Sequence, residues 1–482
     1  MRRHQLAYIA ALSAIVIVCM LSGNYKKDVA SSIDNRYLTK FPQEISEDLT
    51  KQLSDYVQDR IGFRDQMIWL YTNFNNKVFR SYPNGIYGTD ENLFGTGDDV
   101  MGSYQHLDGD AEYAEYFAEF LDKLRSYCMA KGIEFVYMLN PNKATTYPEW
   151  MPASVGVYDA ENLTEQIKDK VDERGIRHVF VDEIFREKKG EDLLFYKRYD
   201  VAHWSDYGRI IGVNAVLEEL SEEPLSVEKD YMRKETVAVK QLVSAITIND
   251  ALIGYTPKSI YLKQETDSID ALQLVNPDSF GVYKNKHVES AQKKKLLLLC
   301  DSYLLGYFDY LGDNFSEIIC VHAYDVSKLQ MMIDLFEPDL VLFENVERAM
   351  DAFYPKELIR NYDNSVIPAY EKFCHLPEQQ KEGIFEITRI NETEVQNECS
   401  GSSDAGFWTI EGIALQEDYT AGTMVYMKSG EKIYIPIYYN NGAFKFVADG
   451  NTLHSNETIE FLLVDAMQAM RYQSRCFEVV YK

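Results

Sequence analysis

Three short segments of this chain carry side chains that could act together chemically. Leu296 to Tyr303 reads Leu-Leu-Leu-Leu-Cys-Asp-Ser-Tyr, an apolar run that stops at Asp301 and Ser302. A serine hydroxyl becomes a nucleophile when a base takes its proton, and the base needs an acid to fix its tautomer and orientation. Tyr199 to Gly208 offers both, because Asp200 and His203 stand three residues apart on one loop, within reach of each other. Trp204 follows and either shields the pair or stacks on a ligand ring. Pro338 to Arg348 is a second apolar run ending in polar residues, where Asn345 or Arg348 could donate to a tetrahedral intermediate or a bound ligand. Each segment also has a purely structural reading. Asp301 and Ser302 can cap a helix, Asp206 can cap the helix behind a surface His203, and Glu347 with Arg348 can be a surface pair.

These segments need elements to hold them. Ala111 to Ala130 has helical periodicity closed by Lys131-Gly132, and Ile133 to Leu139 is a continuous apolar run of the kind buried on both faces of a parallel sheet. The alternation continues with Leu163–Arg174 as helix, His178–Val181 as strand and Gly208–Leu220 as helix. It resumes with strands at Lys295–Cys300, Glu317–Val321 and Leu340–Phe343 and a helix at Ser327–Phe336. Such alternation predicts a three-layer α/β core, in which a serine at the carboxyl end of a strand sits where open sheets place their ligands. A helix opening after Ser302 would add its own N–H groups there. Residues 45–79 have apolar positions at helical spacing. Residues 225–290 break the alternation with β-like fragments (Val237–Val239, Ser259–Leu262, Leu272–Val275) and read as a β-rich insertion, a flap near the site. From about Gly383 onward, short strands and turn signals such as Asn440-Asn441-Gly442 predict a small β-sandwich. The domains expected are therefore residues 1–27, 28–382 and 383–482.

Composition sets the bounds. With 482 residues, 49 Lys+Arg against 76 Asp+Glu and a net charge of -27, the chain is no general nucleic-acid binder. Its 46% hydrophobic content rules out wholesale disorder. Arg2, Arg3 and His4 precede an uncharged apolar run from Leu6 to Gly23, long enough to nearly span a bilayer. No small-x-small cleavage site follows it, so an uncleaved, single-pass signal anchor in the cell membrane is expected, with the bulk of the chain outside. The seven cysteines are far apart and no C-x-x-C pair exists, so neither a metal site nor any cofactor is implied. Cys300 and Cys320 end apolar runs and read as buried free thiols, whereas a Cys374–Cys399 bridge is left open.

Taken together, the segments resemble the SGNH-like hydrolase proteins of the alginate O-acetylation machinery and their DHHW-type relatives. In that group the Asp/His segment precedes the Asp-Ser segment, as Asp200/His203 precede Ser302 here. Further matching stretches are Asp59-Arg60-Ile61-Gly62-Phe63-Arg64-Asp65, Gly88-Thr89-Asp90-Glu91-Asn92-Leu93-Phe94 and Asn140-Pro141-Asn142-Lys143. The family's Asp-x-His-Trp is here one residue longer, and its Gly before Asp-Ser is Cys300. The resemblance implies acyl transfer to an extracytoplasmic polysaccharide. Ser302 would be the nucleophile, His203 the base and then acid, and Asp200 the orienting carboxylate. Lys143, Asn345, Arg348 and Trp204 would contact oxyanion or substrate, and a multi-pass membrane acyltransferase would supply acetyl groups. Trp408, Tyr434, Tyr438 and Tyr439 would be glycan-stacking candidates if they do not fill the sandwich core. A carbohydrate acetylesterase and a non-catalytic envelope or spore-assembly binding protein are the alternatives.

Overall fold

The computed structural model describes residues 3–481 apart from 27–28, 32–35, 43–48, 82–84, 98, 192, 227–231, 239–246, 254, 256, 265–274, 277–278, 288–291, 361, 363–369, 392, 395–398, 402–406, 416–422, 441, 451, 454–457 and 466–469. Its centre is a seven-stranded sheet. In chain order the strands are β1 (Glu134–Asn140), β2 (His178–Phe180), β3 (Tyr261–Lys263), β4 (Gly281–Asn285), β5 (Lys295–Cys300), β6 (Glu317–His322) and β7 (Leu340–Val346). They lie in the order β2-β1-β7-β5-β6-β4-β3. The first five of that order are mutually parallel, and β4 and β3 extend the sheet antiparallel at one edge. Parallel strands are covered on both faces, so they consist of near-continuous apolar residues; β5 is buried from Leu296 to Cys300 and β7 along its whole length.

Strand alternation divides these residues between two cores. Phe135, Tyr137, Leu139, Leu297, Leu299, Val341 and Phe343 face one layer, made largely by α4 (Ala111–Ala130), α5 (Leu163–Glu173) and α8 (Leu329–Phe336). Val136, Met138, Leu296, Leu298, Leu340 and Leu342 face the other, with α6 (Val181–Lys188) and α7 (Asp206–Glu219). The helices begin where capping predicts. Asp110 accepts from Tyr113 N–H to open α4, and Asn162 with Glu165 forms a full capping box at α5. This is the expected three-layer α/β architecture.

Three local readings change. The periodic stretch 45–79, described from residue 49 onward, forms two helices, α2 (Leu49–Arg60) and α3 (Arg64–Phe79), after the candidate span α1 (Arg3–Leu21). The break comes from Gly62, where a Cβ would lie 2.5 Å from Ser22 Cβ, and from Phe63, whose φ of 62° is left-handed. The region 225–290 is not wholly an appendage. It holds a hairpin, Met232–Ala238 with Thr247–Ile253, but β3 and β4 belong to the central sheet. Of the Leu272–Val275 fragment only Val275 lies within the described residues, and it is buried in the first core. Cys374 is a free, exposed thiol, so no bridge to Cys399 exists; Cys300 and Cys320 are buried free thiols with sulfurs 3.6 Å apart.

Toward the C-terminus two sheets pack face to face. One contains β8 (Phe385–Ile390), β9 (Phe407–Ala414) and β11 (Ala443–Asp449); the other contains β10 (Thr423–Ser429) and β12 (Thr458–Asp465). Their inward residues form a separate core around Trp408, Phe446, Phe461 and Leu463. The hairpin entering β11 pairs Asn440 with Ala443, the register set by the expected tight turn. Trp408 and Tyr434 are fully buried in this core and Tyr439 packs against it, so these rings fill the sandwich and do not offer a stacking platform.

Candidate active site

The neighbours β1, β7 and β5 run parallel, so their carboxyl ends open on one rim of the sheet. Three loops leave from that rim: Pro141-Asn142-Lys143 from β1, Glu347-Arg348 from β7 and Asp301-Ser302-Tyr303 from β5. A fourth, residues 193–205, crosses them before α7. Ser205 stops that loop and starts the helix, its hydroxyl accepting from Gly208 N–H at 3.0 Å and donating to Leu193 O at 2.6 Å.

This crossing brings His203 to Ser302. His203 Nε2 lies 2.8 Å from Ser302 Oγ, and its Nδ1 lies 3.3 Å from Asp200 Oδ1. The same carboxylate oxygen accepts the backbone N–H groups of Ala202, at 3.0 Å, and His203, at 2.8 Å. Burial opposes the charge on Asp200, but the imidazole and these N–H groups outweigh it and hold the carboxyl below its ordinary range. The D-x-x-H spacing therefore suits the loop: Asp200 turns back on itself, tying down the backbone that carries His203.

No helix opens after Ser302, so the expected helix N-terminus is not there. The chain makes a turn pinned by Asp301, whose Oδ1 accepts from Tyr303 N–H and whose Oδ2 accepts from Val346 N–H on β7, each at 2.8 Å. Beneath it, Glu344 accepts the Asp301 N–H at 2.9 Å and a hydrogen bond from the Asn140 amide. Burial and the neighbouring Asp301 carboxylate push the Glu344 carboxyl well up, toward its neutral form. Tyr303 is the junction of the loops. Its hydroxyl lies 2.8 Å from Ala202 O and 3.1 Å from Pro141 O and accepts from Arg348 at 3.2 Å, while Trp204 Nε1 donates to its carbonyl at 3.3 Å.

Ser302 opens into a cavity of about 260 Å³. Phe94, Val100 and Val201 supply apolar wall, and Asn142, Lys143 and Arg348 polar wall. Gly95 in that wall is tight, since a Cβ there would meet Val201 Cγ2 at 3.2 Å, and Gly88, outside the wall, is tighter still, since a Cβ there would meet Trp150 O at 2.0 Å. The sequence motifs Gly88–Phe94 and Asn140–Lys143 thus meet at the site. Leu93 N–H donates to Lys197 O at 2.8 Å and Gly95 N–H to Val201 O at 3.1 Å, so the hairpin made by Gly85–Tyr87 and Leu93–Gly95 buttresses the histidine loop.

The other candidate residues divide. Lys143 and Arg348 line the cavity, yet both also brace it. Lys143 Nζ donates to Leu93 O at 2.6 Å and Lys197 O at 2.8 Å, and Arg348 donates to Asn142 Oδ1 at 3.0 Å. Asn345 is not brought to the cavity. Strand alternation turns it to the opposite face of β7, where its amide donates to Met350 Sδ and Val346 O. Trp204 is buried against Tyr303 and Phe185, so it shields the site from behind and has no free face for a ring. Asn142 was missed. Arg348 fixes its Oδ1, and its buried Nδ2 has no hydrogen-bond partner among the described residues. Its place beside Lys143 in a motif was the available signal. Glu347, whose structural reading was a surface pair with Arg348, is instead buried; it accepts from Asn142 N–H at 2.7 Å and from the Thr145 hydroxyl, and burial raises its carboxyl to about 7.

Residues 86–279 match the family model described as "SGNH hydrolase-like domain, acetyltransferase AlgX". The α/β domain is SGNH-like. No curated protein matches the chain. Among solved structures, the O-acetyltransferase domain of Pseudomonas putida AlgJ is similar at 16% identity and a TM-score of 0.38, over 59% of this chain and 99% of that one. Bacillus cereus PatB1 with a sulfonyl adduct is similar at 13% identity and 0.39, over 55% and 97%. Pseudomonas aeruginosa AlgX is similar at 14% identity and 0.33, over 75% and 86%. The matched family segment contains Lys143, Asp200 and His203; Ser302 and Arg348 lie beyond it and join the SGNH-like domain through β5 and β7.

Proposed function

We propose that this protein is an extracytoplasmic O-acetyltransferase acting on a polysaccharide through Ser302, His203 and Asp200. The observation that carries the reading is the hydrogen-bonded chain from Ser302 Oγ to His203 Nε2 and from His203 Nδ1 to Asp200. A scaffold used only for binding has no need of such a chain at the mouth of a cavity. Ser302 Oγ attacks the carbonyl carbon of an acetyl ester while His203 takes its proton. The tetrahedral intermediate collapses, His203 returns the proton to the departing oxygen, and an acetyl-serine remains. A sugar hydroxyl then attacks that ester, with His203 again as base, and Ser302 is released. Asn142 Nδ2 and the Ser302 N–H are the donors assigned to the oxyanion, the first because it is buried, unpaired among the described residues and held by Arg348. The small volume and the apolar wall of Phe94, Val100 and Val201 suit a short acyl group.

The test is acetyl release from p-nitrophenyl acetate by the full chain, with mass spectrometry of an oligosaccharide added as acceptor. Acetylated oligosaccharide and its loss in Ser302→Ala are expected. Turnover to acetate alone makes the protein an acetylesterase, and equal turnover by Ser302→Ala removes the triad from the reaction.

A further inference from the structure

The helix α3 presents its apolar side outward. Met67, Leu70, Tyr71, Phe74 and Val78 recur at helical spacing and fall on one face within about 100° of arc, and Phe63 precedes them in the turn that starts the helix. Each is between 48% and 65% exposed. On the other side Asn76 donates to the Tyr87 hydroxyl at 2.6 Å and Thr72 is buried, while the Arg80–Glu91 pair at 3.5 Å and the rings of Trp69 and Phe79 are exposed. A surface helix normally has the reverse arrangement, so a continuous stripe of large apolar residues calls for an occupant.

The position of the stripe says what the occupant is. Among the described residues α1 is the one helix long and apolar enough to cross a membrane, with a mean hydropathy of 2.0 over His4–Leu21. At 1.5 Å per residue its 19 residues reach roughly 28 Å, about the thickness of a hydrocarbon core, so Leu21 falls near the lipid boundary. The turn before α3 is fastened to that point. Gly62 N–H donates to Cys19 O at 2.8 Å and Asn24 N–H to Arg60 O at 3.0 Å. Arg60, itself 2% exposed, donates to the carbonyls of Asn24, Lys26, Leu38 and Thr39, and Asp59 accepts from Thr39 N–H and its hydroxyl. The stretch Asp59–Asp65, whose role the active site does not absorb, is thus the clamp that sets α3 at the level where α1 leaves the bilayer. Tyr25, Tyr37 and Phe41, also exposed, surround the same junction. Apolar side chains mixed with aromatic rings at that depth match the chemistry of the lipid interface.

We infer that α3 lies on the membrane as an interfacial helix, its Phe63–Val78 face inserted among the lipid headgroups and upper acyl chains. The helix then fixes the orientation of the SGNH-like domain on the bilayer through its contacts to Tyr87 and Glu91, rather than leaving it swinging from a single span. The inference rests on α1 being a membrane span.

The full chain is reconstituted in phosphatidylcholine/phosphatidylglycerol vesicles, with Leu70→Trp in a Trp69→Phe background as reporter. The remaining native Trp204 and Trp408 are buried and Trp150 is partly buried in the SGNH-like domain, so they form a constant background. A blue-shifted emission quenched by lipids brominated near the headgroup is expected, and Phe74→Trp in the same background repeats the reading should the first variant not fold. Ile15→Trp within α1 is the control. Quenching at position 15 without quenching at 70 or 74 overturns the interfacial helix while leaving the anchor. Absence of quenching at all three removes the anchor as well. Unquenched but blue-shifted reporters that cross-link between two copies assign the face to self-association instead.

Discussion

Asp200 acts on His203 through one long hydrogen bond and on the loop through two backbone ones, so its charge and its acceptor geometry do separate jobs. Asp200→Asn keeps one oxygen to accept the N–H groups of Ala202 and His203. That same oxygen faces His203 Nδ1, so the substitution keeps the histidine's tautomer but removes the negative charge that stabilises the imidazolium formed when Ser302 gives up its proton. A fall in kcat of about two to four orders of magnitude with little change in KM is expected on p-nitrophenyl acetate. Asn142→Ala removes the oxyanion donor and should lower kcat by roughly ten- to a thousandfold, again with KM nearly constant. Glu347 bears on stability and not on the proton relay. Its carboxyl is raised to about 7 by burial and by Asp182, against Thr145, Asn142 and Arg348, which lower it. Between its ordinary value and about 7 the folded protein holds a proton that the unfolded chain has lost, so this group's contribution falls as pH rises through that window and is lost above it. The shift corresponds to at most on the order of 3 kcal/mol. Glu347→Gln should therefore flatten the decline of Tm between pH 5 and 8, as followed by differential scanning calorimetry.

At the scale of elements, the parallel strands were legible because burial on both faces leaves unbroken apolar runs, and β1, β5, β6 and β7 all fall where those runs are. What was not legible is what long-range packing decides. Gly62 splits a periodic helix because Ser22 stands against it, forty residues away in the chain. Asn345 belongs to the correct strand but to its wrong face, since the side chains of β7 alternate and a polar residue gives no sign of which layer it enters. β3 and β4 join the central sheet through β6, a pairing that local pattern does not encode. The meeting of Ser302, His203 and Asp200 at one rim could be expected because residue type and order constrain it more strongly than position does. Tyr303 shows how such elements are held together, since one hydroxyl meets the loops from β1, β7 and α7. Tyr303→Phe keeps the ring against Trp204 and His203 but removes the hydroxyl's single donor, shared between Ala202 O and Pro141 O, and one acceptor of Arg348. A loss of about 1–3 kcal/mol in urea unfolding is expected, with a lower kcat from a looser His203–Ser302 contact.

For the whole molecule the dominant quantity is charge. A net -27 surrounds a cavity whose polar wall is cationic, with Lys143 and Arg348 inside it. The two fields have different ranges. Lys143 and Arg348 act over a few ångströms and are little screened, whereas the acidic surface acts across the solvent and is cut off by salt, from about 30 Å at 0.01 M to about 8 Å at 0.15 M. An acceptor that carries carboxylates is thus repelled on approach and attracted only on arrival. A neutral one meets neither effect. Raising ionic strength over that range should increase kcat/KM for a polyanionic oligosaccharide through its association rate and leave kcat alone, since the bound complex is past the repulsive region. A neutral oligosaccharide of the same length should show no such rise. Acetyl transfer measured at fixed acceptor concentration across the two salt levels checks this, and a fall with salt for the anionic acceptor would mean that the local cationic wall, not the surface, governs encounter.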